Sequence, residues 1–315
     1  MKVSVLICTF NKCKYLNAVL KNLSHISNSS HIHEVLVVVD GSNDGTLQLV
    51  KDFSSKFSFS YHFVEKIGLA KARNYGIERC TGDYILFCDD DTLLRCDYLT
   101  HLYQSISQHP NSIHIGNLIN IDSIHSMSII DKIDNDVFEY ENFFDYQNEI
   151  PFFNALKFLY ANRSNYENFR TATWWALVSG GNLCIPKVIL EEVGKFDPLI
   201  TGWGPEDADL CYRIFLQKHQ AVYNENCLIY HLDHQRNLTK NSESMIRNAT
   251  YFYKKHNKPK ELFYYLRFMN GLMSLKDFNS ACSNIFGINE VEIPRFFMSM
   301  DKYSYGKQLI KYDKG

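Results

Sequence analysis

The chain has 315 residues, 45% of them hydrophobic and 22% charged, enough for one large α/β domain or a domain with an appendage. A formal net charge of -2 gives no global attraction to nucleic acid, and no apolar run approaches the roughly 20 residues a bilayer span requires. Nine cysteines without CxxC pairs, behind an opening "MKVSVLICTF" too short for an export signal, are read as reduced thiols of a cytoplasmic protein.

In chain order, residues 2–9 form a β-rich run, and "NKCKYLNAVLKNLSHI" places Leu16, Val19, Leu20 and Leu23 at helical spacing. "EVLVVVD" is a continuous apolar run of the kind a strand buried on both faces requires. Residues 46–53 follow the turn "DGSNDG" as a helix, Phe59–Val64 is a strand, Leu69–Arg79 a helix and residues 84–88 a strand. This βαβαβαβ order predicts a doubly wound, mostly parallel sheet, whose ligands bind beyond the carboxyl ends of the strands. Thr9, Asp40 and Asp89–Asp91 all lie at such ends, so three polar clusters should share one rim.

Residues 97–109 read as a helix and Ile113–Ile121 as a strand. Residues 122–170 lose their period and are rich in Asn, Asp and aromatics, a variable insertion that is either an acceptor-facing flap or surface decoration. Order returns with "TWWALVSGGNLCIPKVILEEVGKFD", and "PEDADLCYRIFLQK" starts a helix whose acids suit its positive end. From Thr239 onward the chain is helical, aromatic and basic: residues 251–315 hold 11 Lys or Arg against 6 Asp or Glu, with 14 Phe and Tyr. Such an extension either packs on the core or on a second subunit, as in a homodimer, or meets an anionic membrane or an acceptor as a peripheral contact.

Three constellations carry chemistry. In "YILFCDDDTLL", the carboxylates Asp89, Asp90 and Asp91 are either a solvated acidic turn or the holder of a hard divalent cation. In "GWGPEDADL", the glycines allow close backbone approach and Trp203 offers a flat apolar wall. Asp209 there is read as a dipole-complementing acid, and a neighbouring carboxylate suits a general base. In "YHLDHQRN", His231 and His234 at i, i+3 supply a candidate third metal ligand.

Together, "VSVLICTFNKCKYL", "VVVDGSNDGT", "GLAKARNYGIERCTGDYILFCDDD", "SGGNLCIPKVILEEVGKFD" and "GWGPEDADLCYRI" resemble the family 2 glycosyltransferases over residues 2–237. The "GWGPED" element looks like that of chondroitin-polymerase, polypeptide GalNAc-transferase and β-1,4-galactosyltransferase enzymes. The resemblance implies the GT-A fold and an inverting enzyme that uses Mn²⁺ or Mg²⁺. It further implies a UDP-sugar donor carrying a hexose or N-acetylhexosamine, and a glycan, lipid-linked or peptide acceptor. Residues 1–238 would be catalytic, with 1–121 as the nucleotide half and 171–238 as the acceptor half, and 239–315 would form the extension. The protein would be bacterial and cytoplasmic, or peripheral at the inner face of the membrane.

Carried over residue by residue, Thr9, Phe10 and Asn11 line the nucleotide pocket and Asp40 accepts from the uracil imide. Arg73 contacts the diphosphate. Asp89 and Asp91 form the DxD motif that holds the metal with His234, the match at His231 being a slip of three residues away. Asp90 lies between them, while Gly181 and Asn182 border the donor sugar beside Trp203. Asp207 is the base, with Glu206 on a sugar hydroxyl. The chain departs from the family at Val39, where an acid usually stands, and at Asp90, an extra negative charge. Two rivals are a non-catalytic nucleotide-sugar or glycan-binding module on the same fold, and a metal-dependent nucleotidyltransferase. The first would have lost the base or metal ligands, and the second needs a glycine-rich loop that "TFNKCKYL" lacks.

Overall fold

The computed structural model describes residues 1–138, 147–148, 172–234, 238–270 and 272–288. Val3–Thr9 forms β1, which lies between β2 (Glu34–Asp40) and β4 (Tyr84–Asp89), both parallel to it. All three are buried almost throughout, which is why they read as continuous rather than alternating apolar runs. β3 (Phe59–Val64) extends this half beyond β2. Its connections are α1 (Cys13–His25), α2 (Thr46–Asp52) and α3 (Leu69–Arg79). α1 buries Leu16, Val19, Leu20 and Leu23, the positions its periodicity marks.

The second half reverses direction. β8 (Asn182–Pro186) runs antiparallel to β4, and β6 (Ile113–Ile121) antiparallel to β8. β9 (Ala221–Leu232) lies parallel to β6, and β5 (Thr92–Leu94) pairs antiparallel to β9. Among the described residues the order is β3-β2-β1-β4-β8-β6-β9-β5, with β7 (Gln147–Asn148) paired to β6 off this path. The expected doubly wound, mostly parallel sheet of the GT-A type is therefore present.

Strand direction builds the rim. In the parallel half Cys8 pairs with Asp89 and Thr9 with Val39, so the ends of β1, β2 and β4 are level. β8 enters from that side, with Asn182 opposite Cys88, and β9 ends there, with His231 opposite Thr92.

Residues 122–138 correct the expected loss of order. Asp122 caps α5 (Ser123–Asp134), accepting from the Ile124 and His125 N–H groups at 3.0 and 3.1 Å. Ile129, Ile130 and Ile133 are buried, and Asn17 of α1 donates to Asp134 at 2.7 Å. The surrounding Asn and Asp masked this isoleucine face; the rest of the expected insertion, apart from β7, lies outside the described residues.

The remaining helices are α4 (Tyr98–Gln108), α6 (Lys187–Val193), α7 (Glu206–Leu216), α8 (Leu238–Lys255), α9 (Lys260–Met269) and α10 (Leu275–Phe286). The last three form the extension, and their aromatic character is spent largely on packing. Trp175, fully buried, lies with its ring centroid 4.8 Å from Tyr212, 5.3 Å from Tyr265 and 6.0 Å from Phe278. One apolar cluster continues from Leu6 and Phe87 in the sheet through Trp175 to Phe252 and Phe278, so the described part of the extension shares the core of the preceding domain. No helix among the described residues is long and apolar enough to cross a membrane.

A buried ionic joint reinforces this packing. Asp209 of α7 takes Arg213 at 3.0 Å, Lys255 at 2.9 Å and His256 at 3.2 Å. It therefore binds the extension, a role its reading as a helix-end acid did not foresee. Burial alone would raise its carboxyl, but the His256 hydrogen bond and the charges of Arg213 and Lys255 outweigh it and hold it at about 2.

Trp175→Ala should cost about 3–5 kcal/mol in urea denaturation, the range for emptying a large aromatic site. Asp209 has a depressed folded pKa, so its stabilisation is present above the unfolded value near 3.8 and is lost as pH falls toward about 2. The stability advantage of the wild type over Asp209→Asn should therefore shrink across that window, read from urea midpoints at each pH.

Candidate active site

The residues expected to face a nucleotide sit at the ends of β1 and β2 and on the loop that leaves β1. Thr9 is buried beside the Asp90 carboxyl, whereas Phe10 is 39% exposed with the Lys66 ammonium 4.0 Å from its ring centroid. Asn11 takes φ 54°, a left-handed conformation Asn tolerates, which turns the chain back toward β2. Its N–H donates to Ser42 Oγ at 3.0 Å, and its side-chain oxygen accepts from the Asn43 N–H at 2.8 Å. Asp40 accepts from the Ile67 and Gly68 N–H groups at 2.6 and 2.9 Å, so it shapes the turn before α3. Each of its oxygens retains a second lone pair for a ligand.

The acidic turn carries a cation that sequence reasoning missed. Lys12 Nζ lies 3.1 Å from Asp90 Oδ1 and 2.5 Å from Asp91 Oδ2. Burial pushes the Asp90 carboxyl up to about 6, with Lys12 opposing and Asp91 adding to the rise. Burial also acts to raise Asp91, but His231, His234 and Lys12 outweigh it and hold that carboxyl well below the usual range. Both histidines reach the same oxygen, His234 Nε2 at 3.1 Å and His231 Nε2 at 3.6 Å. The signal for Lys12 was available: an ammonium directly after the rim segment Thr9–Asn11, in a chain with three adjacent carboxylates to neutralise.

Arg73 joins this turn to the second acidic cluster. Its guanidinium donates from Nη2 to Asp89 at 3.1 Å and from Nη1 to Glu206 at 3.0 Å, and Arg73 itself is 4% exposed. The expected diphosphate ligand is thus a buried link, with two of its N–H groups committed to carboxylates. Glu206 is pushed up to about 7 by burial and the adjacent Asp207, against the pull of Arg73. Its Oε2 is buried with no hydrogen-bond partner among the described residues. Asp207 is also raised, chiefly by burial, with Arg73 opposing. Its Oδ2 accepts from the Gly180 N–H at 3.0 Å, and its Oδ1 from Ala208 at 2.8 Å.

Gly181 has a steric reason to be glycine, because a Cβ there would meet Asp89 Oδ2 at 2.3 Å. Asn182, the residue after Gly181, is bound within the fold. It is 2% exposed, accepts from Tyr98 at 2.6 Å, and donates to the Asn117 and Cys227 carbonyls at 2.8 and 3.1 Å. Its amide ties β8 to the irregular step at Gly116/Asn117 in β6. Trp203 does present a surface, at 36% exposure.

Asp89, Asp90, Asp91, Glu206 and Asp207 thus set five carboxylates against the permanent cations Lys12 and Arg73. Among the described residues no three His, Cys, Asp or Glu side chains form a ready metal cage. The donors nonetheless fit a hard cation. Asp91 Oδ1 is buried without a hydrogen-bond partner among the described residues, the Asp89 side chain is 37% exposed, and His234 adjoins Asp91.

Residues 4–162 match the family model described as Glycosyl transferase family 2. The glycosyltransferase GlyA of Streptococcus pneumoniae serotype 4 is 29% identical over 236 residues, covering 73% of this chain and 30% of GlyA. The chain likewise spans less than two thirds of the length of the other most similar curated relatives, 61% for a validoxylamine A glucosyltransferase of Streptomyces hygroscopicus subsp. jinggangensis that is 24% identical over 81% of the chain. Among solved structures, S. aureus TarS 1-349 with UDP-GlcNAc superposes with a TM-score of 0.59 at 18% identity, over 86% of this chain and 72% of that one.

Arg73→Met should destabilise the protein by about 3–5 kcal/mol in chemical denaturation, because it strands buried Glu206 and frees Asp89. Arg73→Lys should recover only part of that loss, since one ammonium cannot reproduce a fork that reaches two carboxylates.

Proposed function

The chain belongs to glycosyl transferase family 2, and on that premise we propose that it moves a hexose or N-acetylhexosamine from a UDP-sugar to an acceptor hydroxyl. The acceptor is a glycan, a lipid-linked molecule or a peptide. The observation that carries this reading is Asp207, a carboxylate raised by burial and held by the Gly180 N–H next to the glycine that abuts Asp89. A base with a raised pKa is better matched to a proton on a sugar hydroxyl than an ordinary carboxylate. TarS, which shares the fold, binds UDP-GlcNAc in its crystal structure, and this supports a UDP-sugar here.

Asp207 takes the proton as the acceptor oxygen attacks the anomeric carbon. The bond from that carbon to the diphosphate oxygen breaks, UDP leaves with the electron pair, and attack from the opposite face inverts the configuration. Arg73 keeps Asp89 and Glu206 in register across the two acidic clusters. Glu206 Oε2, buried and without a partner among the described residues, is placed to bind a sugar hydroxyl. Thr9, Phe10, Asn11 and Asp40 form the nucleotide side, with Phe10 offering its exposed ring to the base. Asp89, Asp91 and His234 would hold Mn²⁺ or Mg²⁺, which supplies a Lewis acid for charge developing on the leaving UDP.

Asp207→Asn should abolish UDP release in a screen of UDP-sugars with Mn²⁺ while leaving the UDP dissociation constant within about twofold. Near-normal turnover by that variant would exclude Asp207 as the base.

A further inference from the structure

The turn between α6 and α7 carries Trp203 and leads directly into Glu206 and Asp207. Loops with that task need a rigid support, and this one lies on a helix of the extension. Asn248 of α8 is 2% exposed, and its amide nitrogen lies 2.9 Å from the Thr201 carbonyl, 3.3 Å from that of Trp203 and 2.6 Å from that of Gly204. Arg247 adds a bond to the Thr201 carbonyl at 2.6 Å. The backbone approach is close because the loop is glycine-rich. Gly202 takes φ +81°, and a Cβ there would meet Ser244 Oγ of the same helix at 2.6 Å.

A second grip lies farther along α8. Lys255, its last residue, and His256 just beyond it hold Asp209 on α7. The two catalytic candidates, Glu206 and Asp207, fall between the loop held by Asn248 and the residue held by Lys255. One helix of the extension therefore braces the start of α7 on both sides of its functional carboxylates.

We propose that Asn248, assisted by Arg247, is a positioning residue for the sugar-transfer side of the site: it sets the Thr201, Trp203 and Gly204 backbone and, through it, the Trp203 wall beside the donor sugar and the approach to Asp207. The inference rests on the transferase reading above. It assigns the extension to the active site, as the support of the loop that carries Trp203 into Glu206 and Asp207. Displacement of a reacting group by about 1 Å costs about 100-fold in rate, so loss of this brace should reach the chemistry without touching the nucleotide pocket.

The test compares wild type with Asn248→Ala, Asn248→Asp and Arg247→Ala. The Asp variant keeps the size but replaces the donor with an acceptor facing carbonyl oxygens, so it should behave no better than Ala. Expected are a fall in kcat of about 10- to 100-fold for UDP release and an unchanged dissociation constant for UDP, which lacks the sugar, by calorimetry. Trp203 is 36% exposed while Trp174 and Trp175 are 2% and 0% exposed, so acrylamide quenching of tryptophan emission reports on this loop. Quenching should increase in all three variants. Unchanged quenching overturns the inference whatever the rate does, and so does a kcat within about twofold of wild type. If the Asn248 variants do not fold, Arg247→Ala, at an exposed position, is judged by the same two readouts. If wild type releases UDP from no UDP-sugar, the transferase reading fails, and quenching alone still decides whether Asn248 holds the loop.

Discussion

The site depends on one buried guanidinium. Asp89 comes from the end of a parallel strand and Glu206 from the start of a helix more than a hundred residues later, and their carboxylates would repel each other at close range. Arg73 lies between them and satisfies one oxygen of each. Because it is itself inaccessible, its charge is weakly screened, and both carboxylates are fixed by the same planar group. The geometry of the rim follows: Gly181 can approach Asp89 only because it lacks a side chain, and the Gly180 N–H then faces Asp207.

The parallel half of the fold was legible because β1, β2 and β4 are buried on both faces and amphipathic helices separate its strands. Continuous apolar runs and helical spacing are local signals, and they located β2, β3 and α3 to the residue. Their carboxyl ends then placed Thr9, Asp40 and the aspartates on one rim. Less legible was what each side chain does once there. The family resemblance sets Asn182 beside the donor sugar, and in the fold its amide is taken up by Tyr98 and two carbonyls across the sheet. Those partners lie 84, 65 and 45 residues away, and no local pattern announces them. α5 was obscured for a related reason, since its helix is declared by an Asp cap and an isoleucine face amid residues that favour turns.

The extension shows what composition alone leaves open. On sequence grounds a basic, aromatic tail favours a packed helical subdomain over an anionic membrane surface, without saying what it packs against. In the fold, Phe252, Tyr265 and Phe278 surround Trp175, while Lys255 and His256 are drawn to a buried aspartate. Its apolar and basic residues act at the same joint, one set by burial and the other by charge. The acceptor half and the extension consequently form a single packing unit, and a change in either is felt by the helix that carries Glu206 and Asp207.

Lys12 has a consequence for how such an acidic turn comes to exist at all. Its ammonium is delivered by the loop between β1 and α1, a connection made early in the chain, and it meets Asp90 and Asp91 as soon as β4 docks beside β1. The turn therefore carries a counter-ion of its own, covalently tethered through the loop after β1, and part of the charge at the end of β4 is balanced from within the chain.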